Sequence, residues 1–293
     1  MLVAFHVVCV LALASLFKTS RLAPGAIPLW LCSREPGDQA YFHNVLQAVE
    51  KKADGSLRFC SKCGAFKPDR THHCEQLGQC VLVLQHWSLW CNNAIGFYNH
   101  KCYLLALLYT AIAHGTAAAL LLPSVVRGIC DSLAAPVVAV ASVVAVVAEE
   151  DEGEGLGEGL GGGGVPLPLP PAVAALLRGG EGGVQAWALL SGSISAVLGV
   201  GAAAWLVVHL GLIAQGVTAA EWWRQNGCAY RKKPKPPLAG QPFDFAARAN
   251  LAKAFGRHPV LWLLPTNHGI EGNGIFFELS GADAPADALA ARW

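Results

Sequence analysis

A short segment, residues 58–101, concentrates the metal-binding side chains of this chain. It holds five of the protein's ten cysteines, together with several histidines. Cys60 and Cys63 form a C-x-x-C pair, in which two thiolates from one tight turn bind the same tetrahedral ion. His73 and Cys80 lie within loop reach and complete a four-ligand set with no open position. The segment is therefore predicted to fold around a structural ion, which replaces a hydrophobic core that so short a segment cannot build.

The composition indicates a membrane protein. Apolar residues make up 54% of the chain and charged residues only 14%, and the mean hydropathy is +0.41. Both values lie on the apolar side of what soluble domains show, so the lipid bilayer is an expected partner. A nucleic-acid partner is excluded, because apolar runs closely flank the cysteine-rich segment and no basic, aromatic surface stands out. Cysteines in metal-type spacing favour a reduced, cytosolic face.

Three apolar runs are predicted to be transmembrane helices: residues 1–17, 103–126 and 187–213. The first is followed at once by Lys18 and Arg21, whereas a signal peptide carries its charge before the apolar core. Of the 21 Lys and Arg residues, only Arg127 and Arg178 lie between the second and third runs. By the positive-inside rule, the cysteine-rich segment and the C-terminal tail therefore share the cytosolic face. In the third run, small residues recur every four positions and predict close helix packing: Ser191, Ser195, Gly199 and Ala203.

Four further parts complete the predicted organisation: a cytosolic polar segment (18–57), the cysteine-rich zinc domain (58–101), a flexible acidic, Gly- and Pro-rich lumenal loop (127–186) and a cytosolic C-terminal tail (214–293). The Ala/Val run 136–148 is assigned to the loop, because a fourth span would place the basic run 231–235 outside. Tyr41, Val45, Ala48 and Val49 have helical spacing and predict a short amphipathic helix. The fold class is mainly α: a multi-pass transmembrane helical protein with a small cytosolic zinc-stabilised domain.

The order of residues in the cysteine-rich segment resembles the protein S-acyltransferases named for their Asp-His-His-Cys motif. The resemblance rests on many matches at fixed spacing: Arg58, Phe59, Cys60, Cys63, Lys67, Pro68, Asp69, Arg70, His72, His73, Cys74, Cys80, Trp90, Asn93, Gly96, Phe97 and Asn99. The tail adds a Thr218-Ala219-Ala220-Glu221 stretch and Asn250, which resemble the family's C-terminal motifs. The resemblance implies acyl transfer from palmitoyl-CoA to a protein cysteine through an acyl-enzyme.

In the family two zinc ions stiffen this domain. In this chain one set of zinc ligands is complete and the other is mostly replaced. The first set maps onto the four residues already singled out, Cys60, Cys63, His73 and Cys80. The second set maps onto Cys74, Leu77, Trp87 and Ala94, of which only the cysteine is able to bind a metal. The resemblance therefore implies one structural zinc ion. An apolar cluster is predicted to stand in place of the second.

The family's catalytic motif is altered: Gln85-His86-Trp87-Ser88 stands where Asp-His-His-Cys is expected. The resemblance gives Ser88 the place of the nucleophile, His86 that of the general base and Gln85 that of the residue that orients it. A neutral amide does not stabilise a charged imidazole as a carboxylate does. An acyl group held on Ser88 would be an oxygen ester, from which transfer to a thiol runs uphill. Cys91 is the one nearby thiol that offers a substitute.

Two functions stay open at this point. The first is an S-acyltransferase-family membrane protein whose catalysis is impaired by Ser88. The second is a non-catalytic pseudoenzyme that binds acyl-CoA, a substrate protein or an active acyltransferase and regulates it. Protein substrates or an active acyltransferase are the expected protein partners. The resemblance implies an integral, multi-pass membrane protein of the Golgi or endoplasmic reticulum.

Overall fold

A computed structural model describes residues 2–32, 38–52, 54–150, 181–226 and 242–280. Most of the acidic and Pro-rich insertion and the basic run 231–235 lie outside the described residues. The helices are α1 (Leu2–Arg21), α2 (Gln39–Leu46), α3 (His100–Glu150), α4 (Glu181–Ala214), α5 (Ala219–Gln225) and α6 (Ala247–Phe255). Short 3-10 turns cover Leu29–Leu31 and Pro259–Leu261. The protein is thus mostly helical, as predicted.

Among the residues that the structure describes, three helical stretches are long and apolar enough to cross a membrane: Leu2–Arg21, His100–Cys130 and Ala186–Ala214. They coincide with the three predicted spans. The second helix differs from the prediction at its end, because α3 continues to Glu150 through residues that the sequence analysis assigns to a loop. The added residues are mainly Ala and Val, and the helix continues through them in spite of Pro136.

The chain divides into two compact units, residues 111–201 and residues 1–110 with 202–293. In the first of these, glycines allow close helix contact. A Cβ atom on Gly199 would lie 3.1 Å from the backbone nitrogen of Gly115, and one on Gly192 would lie 2.8 Å from Val125. The predicted stripe of small residues is therefore correct at Gly199. Ser191, however, is exposed, and the second contact falls on Gly192.

The other unit contains the cysteine-rich segment, which forms three antiparallel hairpins. Their strands are β1 (Phe59–Cys60) with β2 (Ala65–Phe66), β3 (His72–Cys74) with β4 (Gln79–Val81), and β5 (His86–Ser88) with β6 (Asn93–Ile95). Each pair is only two or three residues long, too short to be stable alone in water. Additional interactions must therefore hold the hairpins in place.

An apolar core joins the hairpins to the polar segment before them and to the tail. Its buried members are Leu31, Phe42, Leu46, Ala48, Leu57, Phe66, Leu82 and Ile275. The short helix α2 contributes Phe42 and Leu46, whereas Tyr41 is 63% exposed. The predicted amphipathic helix therefore exists, but its buried face is rotated from the one that the sequence spacing indicates.

Asparagine side chains attach the third hairpin to the end of α1. The Asn93 amide donates to the backbone oxygens of Thr19 (3.0 Å) and Leu22 (2.9 Å), and the Asn99 amide donates to those of Ala94 (2.8 Å) and Thr19 (3.3 Å). The last carbonyls of a helix have no partner within the helix, so these amides satisfy them. The contacts fix β5–β6 beside the end of a membrane helix.

Candidate functional site

The four predicted metal ligands come together in the structure. Cys60, Cys63, His73 and Cys80 place one ligand atom each, all within 4.8 Å of one another. The hairpins cause this, because β3 and β4 pair His73 directly with Cys80 and the turn after β1 brings in Cys63. Within the described parts of the chain, this is the one group of three or more such residues with this spacing.

The distances fit a tetrahedral ion. His73 Nδ1 lies 3.6 Å from the Cys60 sulfur, 3.3 Å from Cys63 and 3.9 Å from Cys80. In a tetrahedral zinc site with usual bond lengths, sulfur and nitrogen ligands are about 3.6 Å apart. The other ring nitrogen of His73 lies 4.0 Å from a Glu75 carboxylate oxygen, which is beyond hydrogen-bond distance. The residues present therefore fit a structural metal ion.

The four positions of the second ligand set lie in one apolar cluster. Cys74 and Ala94 are buried with Val81 and Leu84, and Leu77 and Trp87 pack against them. This confirms the predicted cluster. Replacing several ligands together leaves one thiol among apolar groups rather than a set of unpaired thiolates, and a neutral buried cysteine behaves as a small apolar residue. Apolar packing therefore joins the β3–β4 and β5–β6 hairpins at these positions.

Ser88 lies at the end of β5 with only 4% of its surface exposed. It pairs in register with Asn93, and its Oγ accepts a hydrogen bond from the backbone N–H of Cys91 at 3.4 Å. Burial raises the pKa of the Cys91 thiol, although its contact with Ser88 lowers it in part. Because only the thiolate is strongly nucleophilic, the geometry disfavours Cys91 as a substitute nucleophile.

His86 faces the same side of β5 as Ser88, because side chains two residues apart share a face. Its ring packs edge-on against Tyr103 (5.2 Å between centroids) and Trp205 (5.8 Å) and lies 5.2 Å from the ring of His209. Its Nδ1 is buried without a hydrogen-bond partner. Desolvation lowers the pKa of His86 to about 4, so the imidazole is neutral at physiological pH.

Gln85 does not contact His86 through its side chain. Its Oε1 accepts a hydrogen bond from the backbone N–H of Ala219 at 3.0 Å, and its Nε2 donates to the Val83 carbonyl at 3.4 Å. The structure therefore brings the three predicted catalytic residues into one hairpin, but no hydrogen bond joins the Gln85 side chain to His86. The amide instead joins the hairpin to the N-terminus of α5.

The aromatic and histidine neighbours of His86 line the candidate site, and the sequence analysis did not predict them. Tyr103 and Trp205 are linked by a hydrogen bond of 2.7 Å between the indole N–H and the tyrosine oxygen. His209 is 1% exposed, and neither of its ring nitrogens has a partner. Tyr103 lies at the start of α3, whereas Trp205 and His209 come from α4. Trp205 and His209 are four positions apart and so share one helix face, which is the feature of the sequence that could have indicated them.

A buried ionic network fixes α5 against the hairpins. Arg70 binds both carboxylate oxygens of Glu221 at 3.0 Å and also donates to the Gly216 carbonyl. Burial alone would raise the pKa of Glu221, but the Arg70 charge and the Thr218 hydrogen bonds lower it. Thr218 and Glu221 form a complete capping box at the start of α5. These motif residues hold the fold around the site.

A cavity of ≈ 470 Å³ lies between the hairpins, the end of α4 and the tail. Its lining includes Arg70, Gln85, Thr218, Phe243 and Lys253, but neither Ser88 nor His86. The charges on its wall are already paired, since Lys253 binds Glu278 at 2.9 Å and Arg70 binds Glu221. The cavity lies beside the β5–β6 hairpin and does not include Ser88 or His86, so we assign no acyl donor to it.

Comparison with known proteins matches residues 53–226 to the family model described as DHHC palmitoyltransferase. The palmitoyltransferase ZDHHC15A of Danio rerio is 28% identical over 78% of this chain and 54% of its own length. The probable protein S-acyltransferase 14 of Arabidopsis thaliana is 25% identical over 90% of this chain and 71% of its own length. In the palmitoyltransferase PFA3 of Yarrowia lipolytica the identity is 43%, over 28% of this chain and 20% of the relative. The chain thus spans about half the length of the zebrafish relative.

Proposed function

Because the chain belongs to the DHHC palmitoyltransferase family, we propose that it is an S-acyltransferase-type membrane protein whose own acyl transfer is impaired. The family reaction moves a palmitoyl group from palmitoyl-CoA to a protein cysteine through an acyl-enzyme. The observation that carries the proposal is the separation of Gln85 from His86. The residue in the orienting position binds the Ala219 N–H, and His86 Nδ1 has no partner.

Two properties of His86 support impaired catalysis. An unpaired Nδ1 leaves the ring without the partner that selects its tautomer and stabilises its protonated form. In addition, a base with a pKa of about 4 is a weak proton acceptor for a hydroxyl at neutral pH. His86 therefore lacks both the orientation and the basicity that deprotonation of Ser88 requires.

The chemistry of Ser88 adds a second obstacle. Attack of its oxygen on palmitoyl-CoA would form an oxygen ester and release the CoA thiol. Passing the acyl group from that ester to a protein thiol would then run uphill, because a thioester is the more activated acyl donor. Even an acylated Ser88 would therefore tend to stop at the intermediate.

One zinc ion is proposed for Cys60, Cys63, His73 and Cys80, where it would supply structural cross-linking and no catalytic chemistry. The cysteine-rich domain and the end of α1 are proposed to face the cytosol, in keeping with the distribution of Lys and Arg. Golgi or endoplasmic reticulum membranes are the proposed location, by analogy with the family.

The proposed impairment is tested by incubating membranes that contain the protein with a clickable palmitoyl-CoA analogue. Neutral hydroxylamine cleaves thioesters readily and oxygen esters slowly. We expect no hydroxylamine-sensitive label above that of the Ser88→Ala variant, which keeps the fold and removes the hydroxyl. Hydroxylamine-sensitive label that is lost in Ser88→Ala, or passed on to a second protein, would show that the site turns over and would overturn the proposal.

A second function, a non-catalytic regulator of acyl transfer, is favoured by what the chain retains. The residues that hold the site are present and hydrogen-bonded, including Asp69, Arg70, Asn93, Asn99 and Asn250. Of the three catalytic positions, the nucleophile and the orienting residue are replaced, and only His86 is kept. A regulator is expected to co-purify with an active acyltransferase and change its rate. Unchanged rates and no co-purification would leave impaired transfer as the only surviving proposal.

A further inference from the structure

We infer that residues 258–266, here called the tail segment, form a shallow membrane-embedded loop rather than part of a cytosolic tail. The segment reads His-Pro-Val-Leu-Trp-Leu-Leu-Pro-Thr and carries no Asp, Glu, Lys or Arg. It contains the 3-10 turn Pro259–Leu261. Large apolar side chains project from it into open space: Val260 is 87% exposed, Leu263 59% and Leu264 44%. An exposed apolar patch of this kind marks contact with a membrane or another apolar surface.

Three side chains from membrane-spanning helices bind the backbone of this segment. Lys18 near the end of α1 donates to the Pro265 carbonyl at 2.7 Å. Lys101 at the start of α3 donates to the Leu261 carbonyl at 2.9 Å, and the Tyr109 hydroxyl donates to that of Leu263. The segment is thus tied directly to the two spans, and lipid is the solvent around those helices.

The bonds to α3 also indicate depth. Tyr109 lies nine residues after His100, where α3 begins, which corresponds to about 13 Å along the helix axis at 1.5 Å per residue. Helical side chains lean toward the N-terminus, so the Leu263 carbonyl lies somewhat less deep than Tyr109 Cα. The chain then returns, because the Asn267 amide donates to the Tyr98 carbonyl at 2.6 Å, ahead of the helix. The path enters and leaves on the same side.

Many polar backbone groups of the segment are bonded within the protein, which reduces the cost of immersion in lipid, where each unpaired polar group costs several kcal/mol. Pro259 and Pro265 have no N–H, and the carbonyls of Leu261, Leu263 and Pro265 are taken by the side chains described above. Four amide protons bind within the segment, those of Leu261, Trp262, Leu264 and Thr266. The Trp262 indole N–H donates to the Gly256 carbonyl at 2.7 Å.

The occupant of the exposed face is therefore lipid acyl chains, because the same backbone that presents Val260 and Leu263 is bonded to Lys101 and Tyr109 of a spanning helix. Lys101 also indicates that water is excluded from this contact. Its side chain is 1% exposed, and its ammonium group finds an acceptor in the tail segment instead of water. The inference concerns how the tail is anchored, and it does not depend on whether Ser88 supports acyl transfer.

Photo-crosslinking tests this placement without disturbing the cysteines. Benzoylphenylalanine is introduced singly at Val260 and at Leu263 in the full chain, which is reconstituted in phosphatidylcholine nanodiscs and irradiated. Val207, 67% exposed on α4, is the lipid-facing control, and Lys62, with a 59% exposed side chain, is the water-facing control. We expect phospholipid adducts at both tail positions to exceed those at Lys62 by about tenfold, since acyl chains occupy only the bilayer core.

Each variant is first shown to retain the zinc content and melting temperature of the parent, so that a misfolded tail is not scored. Mass spectrometry then distinguishes lipid adducts from protein–protein adducts and from unreacted probe. Lipid adducts at both positions support the inference. If Val207 forms them and either Val260 or Leu263 does not, or if a tail position reacts with protein instead, the segment is a solvent-exposed loop or a protein-binding surface and the inference is overturned.

Discussion

The Oε1 atom of Gln85 lies 3.0 Å from the backbone nitrogen of Ala219, so the amide caps α5 instead of orienting His86. Thr218, the N-cap residue of that helix, accepts from the Glu221 N–H, and Glu221 binds Arg70. The altered motif residue is thus part of the structural frame of the site. This contact explains why restoring the nucleophile alone is not expected to restore function.

The first prediction concerns the pair of positions 85 and 88. Ser88→Cys alone should gain little thioester-linked label, because His86 still lacks an orienting carboxylate. Ser88→Cys with Gln85→Asp should gain at least about 100-fold over the single change, the lower end of what general acid–base catalysis contributes. The measurement is hydroxylamine-sensitive incorporation from the palmitoyl-CoA analogue.

The matched control for this pair is Ser88→Cys with Gln85→Asn, which shortens the side chain equally and supplies no charge. It should behave like Ser88→Cys alone. Full label from Ser88→Cys by itself would contradict the role assigned to orientation of His86. Equal label from the Asn and Asp double variants would show that side-chain length, rather than charge, limits the reaction.

The second prediction concerns the metal centre. Cys63→Ser should abolish zinc binding and destabilise the β1–β2 and β3–β4 hairpins, because their strands are too short to be stable alone and the ion would cross-link the two hairpins. Cys32→Ser is the matched control, since Cys32 is exposed and outside the ligand group. Elemental analysis and thermal unfolding of the purified proteins make the comparison. Retention of one zinc ion per chain in Cys63→Ser would refute the assignment.

How much of this site is readable from sequence depends on how far apart its parts lie in the chain. Cys60, Cys63, His73 and Cys80 are close enough for spacing to predict the ligand group. The apolar cluster around Trp87 was predicted from the resemblance to the family, which indicates the positions of the second ligand set within the same segment. Only the first of the two predictions follows from local spacing and side-chain chemistry.

Parts formed by distant segments were not predictable by the same means. Arg70 and Glu221 are 151 positions apart, and nothing in either local sequence indicates their pairing. The rings around His86 come from two helices whose packing the sequence does not specify. The rotated face of α2 has a similar cause, since Phe42 is buried by contact with Phe66 at 4.9 Å between ring centroids rather than by helical periodicity. Tertiary contacts decide such cases.

The third prediction rebuilds the second ligand set. Changing Leu77 to Cys, Trp87 to His and Ala94 to Cys together would place three ligands beside the native Cys74, all within the present apolar cluster. The triple variant should bind two zinc ions where the parent binds one. Trp87→His alone should instead lower the melting temperature, because it leaves a cavity and an unpaired imidazole. A triple variant that still binds one ion would show that the hairpins no longer permit the second site.

The fourth prediction concerns the buried ion pair. Glu221→Gln should destabilise the protein by about 3–5 kcal/mol, the usual cost of removing one partner from a buried pair, since the side chains of Arg70 and Glu221 are 12% and 9% exposed. Glu75→Gln is the control, because the Lys62–Glu75 pair lies at the surface and its loss should not change stability measurably. Comparable melting temperatures for the two variants would contradict a structural role for Arg70.

The fifth prediction concerns the pH dependence of stability. The ordinary pKa of histidine is about 6.5, and burial lowers that of His86 to about 4. The folded state therefore binds fewer protons than the unfolded state between these values. The contribution of the neutral, buried His86 to the free energy of unfolding is fully present above pH 6.5 and is lost as the pH falls toward 4. Complete loss amounts to about 3 kcal/mol at 1.36 kcal/mol per pKa unit.

His86→Phe should remove this component, because a phenyl ring fills the same apolar site beside Tyr103 and Trp205 and does not titrate. The melting temperature of the variant should consequently fall less between pH 7.5 and pH 5 than that of the parent. Groups that titrate elsewhere in the chain are the same in both proteins, and their effect cancels in the difference. Identical slopes for the parent and His86→Phe would mean that His86 is solvated, and its weakness as a base would then need another cause.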